Sequence, residues 1–144
     1  MIVAITFAAA LQAAPSSEAP TSFAELGQLR GWFSTCAAYG WRVDEQGLQR
    51  WQANLILQDT IAIPQGEDAI AVMEASTDRF EAELISSFRA SASSKSGLRS
   101  WADRIRNGCD SAAETFSSVL SRTEETDAKW NQFIETAEAK IPQR

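Results

Sequence analysis

The two cysteines of this chain, Cys36 and Cys109, are the side chains with the clearest capacity for chemistry. Each falls on an apolar stripe with helical spacing, so both are predicted to face the core. Two such cysteines form one disulfide in an oxidising compartment and stay buried thiols in a reducing one. A redox-catalytic pair is disfavoured, because the Cys-x-x-Cys spacing is missing and such a pair needs an exposed sulfur of low pKa. We therefore predict a Cys36–Cys109 disulfide.

The absence of histidine excludes several kinds of active site. Ser–His and Cys–His nucleophile pairs would lack the base that takes the proton. Two cysteines alone cannot complete a tetrahedral zinc site, and the chain has no Asp-x-Asp-x-Asp-Gly calcium loop. Acid–base catalysis would require a carboxylate, lysine or tyrosine with a perturbed pKa. From the sequence we assign no catalytic residue, no metal ion and no cofactor.

Five tryptophans are many for 144 residues, and their positions predict two environments. Three fall on apolar stripes and are predicted core residues: Trp51, Trp101 and Trp130. Trp32 and Trp41 lie off the main stripe of the first helix or just beyond its end. With Tyr39 they are a candidate exposed patch for a peptide, a glycan or another hydrophobic ligand. Burial of these rings against the loop after the first helix is the alternative.

Two groups of charged residues are candidate docking surfaces. An acidic group lies along one edge of the third predicted helix and suits a basic partner or a weak cation site: Glu67, Glu74, Asp78 and Glu81. A basic group near the start of the next helix suits a carboxylate or an acidic protein surface: Lys95, Arg99, Arg104 and Arg106. Ordinary solvated helix faces are the alternative for both groups.

The first fourteen residues are uncharged and apolar, and they end in small residues that include Ala10, Ala13 and Ala14. This pattern predicts a signal peptide over residues 1–14, although no basic residue precedes the apolar run. The run is shorter than the roughly 20 apolar residues that span a bilayer, so no stable membrane span is predicted. Residues 15–21 read as a flexible lead-in that contains Pro15 and Pro20. Export to the periplasm or the medium is therefore expected.

Helical periodicity dominates residues 22–144, which we interpret as a single helical domain. The segment Ser22-Phe-Ala-Glu25 matches a capping box, and Gly40 is a plausible stop for the helix that follows. A second helix can start at Asp44, although β-branched residues weaken the helical pattern over residues 55–63. Pro64-Gln65-Gly66 marks a break before the third helix.

The third helix is predicted from a stripe that runs from Ile70 to Ser87, and residues 91–97 are predicted to form a loop. From Leu98 to Ile141 the apolar spacing keeps one phase. One long helix is possible, as are two helices broken at Asn107-Gly108 or within residues 124–127. The fold class predicted is an all-α bundle of four to five helices with one disulfide.

The net charge of −6 disfavours nucleic acid and anionic lipid as partners. The leading functional hypothesis is an exported, non-enzymatic protein that binds a protein partner in the cell envelope. A carrier of a small apolar ligand is the second, and it needs a large interior cavity lined by Phe80, Phe88, Trp101 and Phe116. A histidine-free enzyme is the third, and it needs two acidic residues facing one cleft.

Overall fold

A computed structural model describes residues 18–63, 66 and 68–142. The predicted signal peptide and Glu67 of the acidic group lie outside these residues. Within them the chain forms five helices and two short strands: α1 (Phe23–Ala38), β1 (Arg42–Val43), α2 (Glu45–Leu57), α3 (Ala69–Ser91), α4 (Lys95–Thr115), β2 (Leu120–Ser121) and α5 (Thr126–Ala139). The predicted all-α fold class is confirmed. None of the described helices is both long and apolar enough to cross a membrane.

Helix α1 is the element around which the other helices pack. Its closest neighbour is α3, because Gly27 and Gly31 let the two backbones approach where a Cβ would overlap the backbone of Met73 or the ring of Phe80. Thr77 Oγ1 donates a hydrogen bond of 2.7 Å to the carbonyl of Gly27 across this interface. The two small residues on α1 therefore set the spacing of the bundle.

Side-chain caps define where the helices begin. Ser22 Oγ accepts from the backbone N–H of Glu25 at 3.1 Å, as the capping box predicts. The Glu25 carboxylate reaches one residue further than predicted, to the backbone N–H of Thr21 at 2.7 Å. Asp44 caps α2 in the same way, by accepting from the N–H of Gly47 at 3.0 Å.

The end of α1 is a left-handed turn at Gly40, whose φ of +117° suits glycine. The N–H of Trp41 donates to the carbonyl of Cys36, and the N–H of Gly40 donates to that of Ala37. This double hydrogen bond closes the last turn of the helix and reverses the chain. The predicted stop at Gly40 is confirmed.

The last part of the chain is two helices, and the break lies between Thr115 and Thr126. The alternative break at Asn107-Gly108 is wrong, because both residues lie inside α4. Helix α4 also begins earlier than predicted, at Lys95, because Ser94 Oγ accepts from the N–H of Gly97 at 3.0 Å. The predicted loop over residues 91–97 is therefore reduced to the short connection between α3 and α4.

Helix α2 ends at Leu57, where Asp59 adopts a left-handed φ of +54°. The β-branched residues that follow are not helical. Instead, the N–H of Ala62 donates to the carbonyl of Thr21, which ties the end of the predicted lead-in to this connection. The predicted core stripe of α3 fails at its first member, since Ile70 is exposed.

The interior divides into a large and a small apolar cluster. The large cluster surrounds Trp32, Cys36, Trp101 and Cys109. It contains buried residues from all five helices. The small cluster lies where α1 begins, α2 ends and α3 begins, and its buried members are Phe23, Leu26, Leu55 and Ile61. Strands β1 and β2 pair antiparallel, with Arg42 opposite Ser121 and Val43 opposite Leu120.

Candidate functional site

Cys36 and Cys109 lie at disulfide distance inside the large cluster, with their Cα atoms 5.6 Å apart. Both side chains are fully buried, so neither sulfur is accessible to a substrate. The pair joins α1 to α4 across 73 residues of chain. Its position is that of a structural cross-link, as the sequence predicted.

Trp32 and Trp41 do not form an exposed patch, because only 2% and 3% of their surface is accessible. The expectation of an exposed aromatic site at Trp32, Tyr39 and Trp41 is therefore wrong for both tryptophans. The ring of Trp32 lies between Phe80, with ring centroids 5.4 Å apart, and the backbone of Gly108. Trp32 lies beside the main apolar stripe of α1, but the buried face of this helix is wide enough to include it.

The turn at Gly40 directs Trp41 back into the bundle. Its indole packs edge-on against Trp130 at 5.8 Å, and its Nε1–H donates to Asp110 Oδ1 at 3.2 Å. Thr126 holds the turn itself, since its buried hydroxyl donates to the carbonyl of Gly40 at 2.9 Å. The polar atom of Trp41 is satisfied within the protein, as a buried indole requires.

Tyr39 is half-buried between two rings of α5. Its ring centroid lies 5.4 Å from that of Trp130 and 4.5 Å from that of Phe133. Burial disfavours the charged phenolate and raises the pKa of the Tyr39 hydroxyl. Tyr39 and Trp41 therefore pack the end of α1 against α5, and Trp32 packs α1 against α3 and α4.

An ion-pair network surrounds the polar edge of this aromatic cluster. Arg122 binds Asp110 through two hydrogen bonds of 2.8 and 3.0 Å, and it also contacts Asp127. Asp127 accepts a further hydrogen bond of 2.7 Å from Arg106. The network links α4, the residue that follows β2, and α5, and each of its charges faces an opposite charge. Its geometry suits a structural role.

The predicted basic group is partly neutralised by α5. Arg99 pairs with Glu138 at 2.7 Å, and Arg106 pairs with Asp127. The hydrogen bond from Arg99 is the main cause that lowers the pKa of Glu138. Since a general acid needs a raised pKa, Glu138 has the opposite property from a catalytic acid.

Two shallow grooves lie on the charged surface of the bundle. One, of about 370 Å³, runs between α4 and α5 and is lined by charges of both signs, which include Asp103, Arg106 and Glu135. The other, of about 520 Å³, lies beside the Gly40 turn, where Lys129 and Glu125 pair at 3.3 Å. Carboxylates do share the first groove, where Glu138 pairs with Arg99, and Glu125 pairs with Lys129 in the second.

The aromatic side chains proposed to line a ligand cavity pack against other rings instead. Phe88 contacts Trp101 with centroids 5.1 Å apart, and Phe80 contacts Trp32. Phe116 lies edge-on to two more rings, those of Phe33 and Trp51. Because these rings face other side chains, their contacts do not favour a carrier of an apolar ligand.

The surface feature that stands out is an exposed apolar end, defined by Ile56, Leu57, Ile63 and Ile70. These residues are 39%, 79%, 68% and 60% exposed, and they are four of the five large hydrophobic residues that the described structure exposes. Each stands within two positions of Leu55, Ile61 or Ala69, which form or contact the small cluster. The apolar surface therefore continues from the small cluster into solvent.

The sequence signal for this end was the run Leu55-Ile56-Leu57, followed by Ile61 and Ile63. A helix that ends in three consecutive apolar residues cannot bury them all on one face, because neighbours differ by about 100° around its axis. Helical periodicity alone therefore did not predict this exposed end.

The predicted acidic group lies partly in the described structure, where Glu74, Asp78 and Glu81 are exposed on α3. No cluster of three or more metal-binding side chains occurs in the described residues. No protein family, no characterised protein and no solved structure matches this chain.

Proposed function

We propose that this protein is exported and acts without catalysis, by binding a protein partner in the cell envelope through the exposed apolar end. The observation that carries the proposal is the concentration of exposed Ile56, Leu57, Ile63 and Ile70 around one end of the bundle. Exposed aliphatic side chains cost solubility and stabilise an interface when a partner covers them. Single exposed hydrophobic residues are ordinary, whereas several at one end are typical of a contact surface.

Export is supported by two independent features. Residues 1–14 have the uncharged apolar character of a signal peptide. Cys36 and Cys109 lie at disulfide distance, and disulfides persist in oxidising compartments. Periplasmic or secreted protein is the localisation that fits both.

Binding is favoured over the two other hypotheses by the chemistry of the described residues. The core aromatics contact one another, and this packing does not favour the carrier hypothesis, which needs a large cavity lined by the same rings. The carboxylate with a resolved pKa shift, Glu138, is held ionised by Arg99 and does not suit a general acid. Among the described residues, the exposed apolar end stays open to solvent.

The test uses a photo-crosslinking amino acid placed at Leu57, with the same residue at Ile85 as a matched control. Ile85 is 52% exposed on α3, and fifteen residues of helix place it about 22 Å along the axis from Ile70. We expect a discrete crosslinked product from position 57 in the envelope fraction and none from position 85. Equal products from both positions, or none from either, would contradict the proposal.

N-terminal sequencing of the protein recovered from that fraction tests export separately. A mature start within residues 11–20 is expected from the small residues and prolines that follow the apolar run. An intact Met1 on cytosolic protein would contradict export.

A further inference from the structure

We propose that the partner segment bound by the exposed apolar end is a cationic amphipathic peptide segment, with aliphatic residues on one face and Lys or Arg beside them. This inference rests on the proposed function and specifies its partner. It is drawn from the charges that accompany Ile56, Leu57, Ile63 and Ile70 along the chain.

The charge close to this end is acidic in the sequence. Among the described residues, none of the segments 18–29, 51–63 and 68–78 contains a lysine or an arginine, and the nearest basic residues along the chain are Arg30, Arg50 and Arg79. Three exposed carboxylates stand close in sequence to the exposed aliphatic residues: Asp59, Asp68 and Glu74. The basic residues that compensate acidic ones elsewhere, such as Arg99, Arg106 and Arg122, belong to α4 and the segment that follows it.

This uneven distribution of charge favours some binding partners of the apolar end over others. An anionic lipid surface or an acidic protein would be repelled by the exposed carboxylates close to the contact. A second copy of this chain would bring the same acidic ends together, which is unfavourable in an isologous dimer. A peptide with aliphatic and basic residues instead satisfies both parts of the surface, the apolar side chains by burial and the carboxylates by ion pairing.

The experiment measures binding of two fluorescently labelled helical peptides to the purified mature protein. One peptide carries a leucine face with lysines beside it, and the other carries the same leucine face with glutamates. We expect binding of the Leu/Lys peptide alone, with an affinity that falls as salt concentration rises. Leu57→Ser and Ile63→Ser should each weaken it about ten-fold or more, because each removes a buried aliphatic side chain from the complex.

Three further variants separate this site from general attraction to an acidic protein. Ile85→Ser removes an exposed aliphatic residue on α3 and should leave affinity unchanged. The double variant Asp59→Asn with Glu74→Gln should weaken binding and flatten its salt dependence, since Asn tolerates the left-handed backbone at position 59. Glu124→Gln, an exposed change beside the Gly40 turn, should do neither.

The alternative results each overturn the inference. Equal binding of both peptides would mean that charge does not select the partner. Binding of the Leu/Lys peptide that ignores Leu57→Ser would mean general electrostatic attraction. Concentration-dependent dimers abolished by Leu57→Ser would assign the end to a second copy, and binding to phosphatidylglycerol vesicles would assign it to lipid. Absence of peptide binding with a position-57 crosslink intact would overturn the cationic partner and leave the proposed function standing.

Discussion

The indole of Trp32 on α1 lies against the backbone of Gly108 on α4, at a place where any Cβ would overlap the ring. Trp32 is 2% exposed, and the same interface contains the Cys36–Cys109 pair. Glycine at position 108 therefore serves the close approach of two helices. It is a packing residue in the middle of α4, and its sequence context of Asn107-Gly108 resembles a helix stop.

Gly108→Ala should destabilise the fold, although alanine has the higher helix propensity. The gain of about 1 kcal/mol from propensity is outweighed by overpacking against Trp32, which typically costs about 1–3 kcal/mol or more where the core cannot shift. Thermal unfolding monitored by circular dichroism measures the difference. Asn107→Ala is the control, because its exposed neighbouring position should be neutral or slightly stabilising. A Gly108→Ala protein as stable as Asn107→Ala would refute the assigned packing role.

The Cys36–Cys109 pair should be oxidised in the exported protein. Mass spectrometry of the unreduced protein should give a mass about two daltons below that of the dithiol, since each disulfide removes two hydrogens. In the chain-entropy account, closing a loop of 73 residues stabilises the fold by roughly 4 kcal/mol, of which about 2–4 is usually observed. Reduction should therefore lower the melting temperature by several degrees or more. Two freely titrating thiols in envelope protein would contradict the oxidised state.

Trp41→Ala should destabilise the protein strongly, by about 3–5 kcal/mol, because it empties a buried site against Trp130 and removes the donor to Asp110. Trp41→Phe keeps a ring and loses only the N–H, so it should cost less. Denaturant unfolding of both variants measures the two contributions. If the Trp41→Ala protein had the stability of the parent, Trp41 would have to be exposed, and the aromatic patch would again be a candidate binding site.

The Arg99–Glu138 ion pair should make stability depend on pH in the acidic range. The pKa of Glu138 is lowered in the folded protein, so the pair stabilises the fold above the unfolded pKa of the carboxyl, and this contribution is lost as pH falls through the folded pKa. Glu138→Gln should accordingly lower the melting temperature near neutral pH and make little difference at about pH 3. Glu135→Gln, in the same groove, is the control. A Glu138→Gln effect of equal size at both pH values would rule out the ion pair as its cause.

The helical fold was predictable from sequence because its signals are local. Apolar residues at helical spacing, the Ser22 cap and the Gly40 stop each act over a few residues, and the cap and the stop were found where predicted. The cysteine pair was also predictable, because both positions lay on core-facing stripes and no third cysteine competed for either one.

Other features of the structure depend on which helices pack against each other, and the sequence does not show this directly. Trp32 and Trp41 are buried by partners distant in sequence, Gly108 and Trp130, and no local pattern records such contacts. The exposure of Ile70 follows in the same way, since a periodic stripe shows which face is apolar and does not show how far the neighbouring helices extend along it.

The sequence by itself determined the all-α class, most helix starts and the partner of each cysteine, because these depend on short-range spacing and residue type. The tertiary structure alone decided that the aromatic patch is core, that α5 neutralises much of the basic group and that four aliphatic residues remain exposed at one end. The physical reason is that a side chain is buried only when a second surface packs against it. Periodicity shows which face of one helix is apolar, whereas packing, ion pairing and exposure depend on which other element contacts that face.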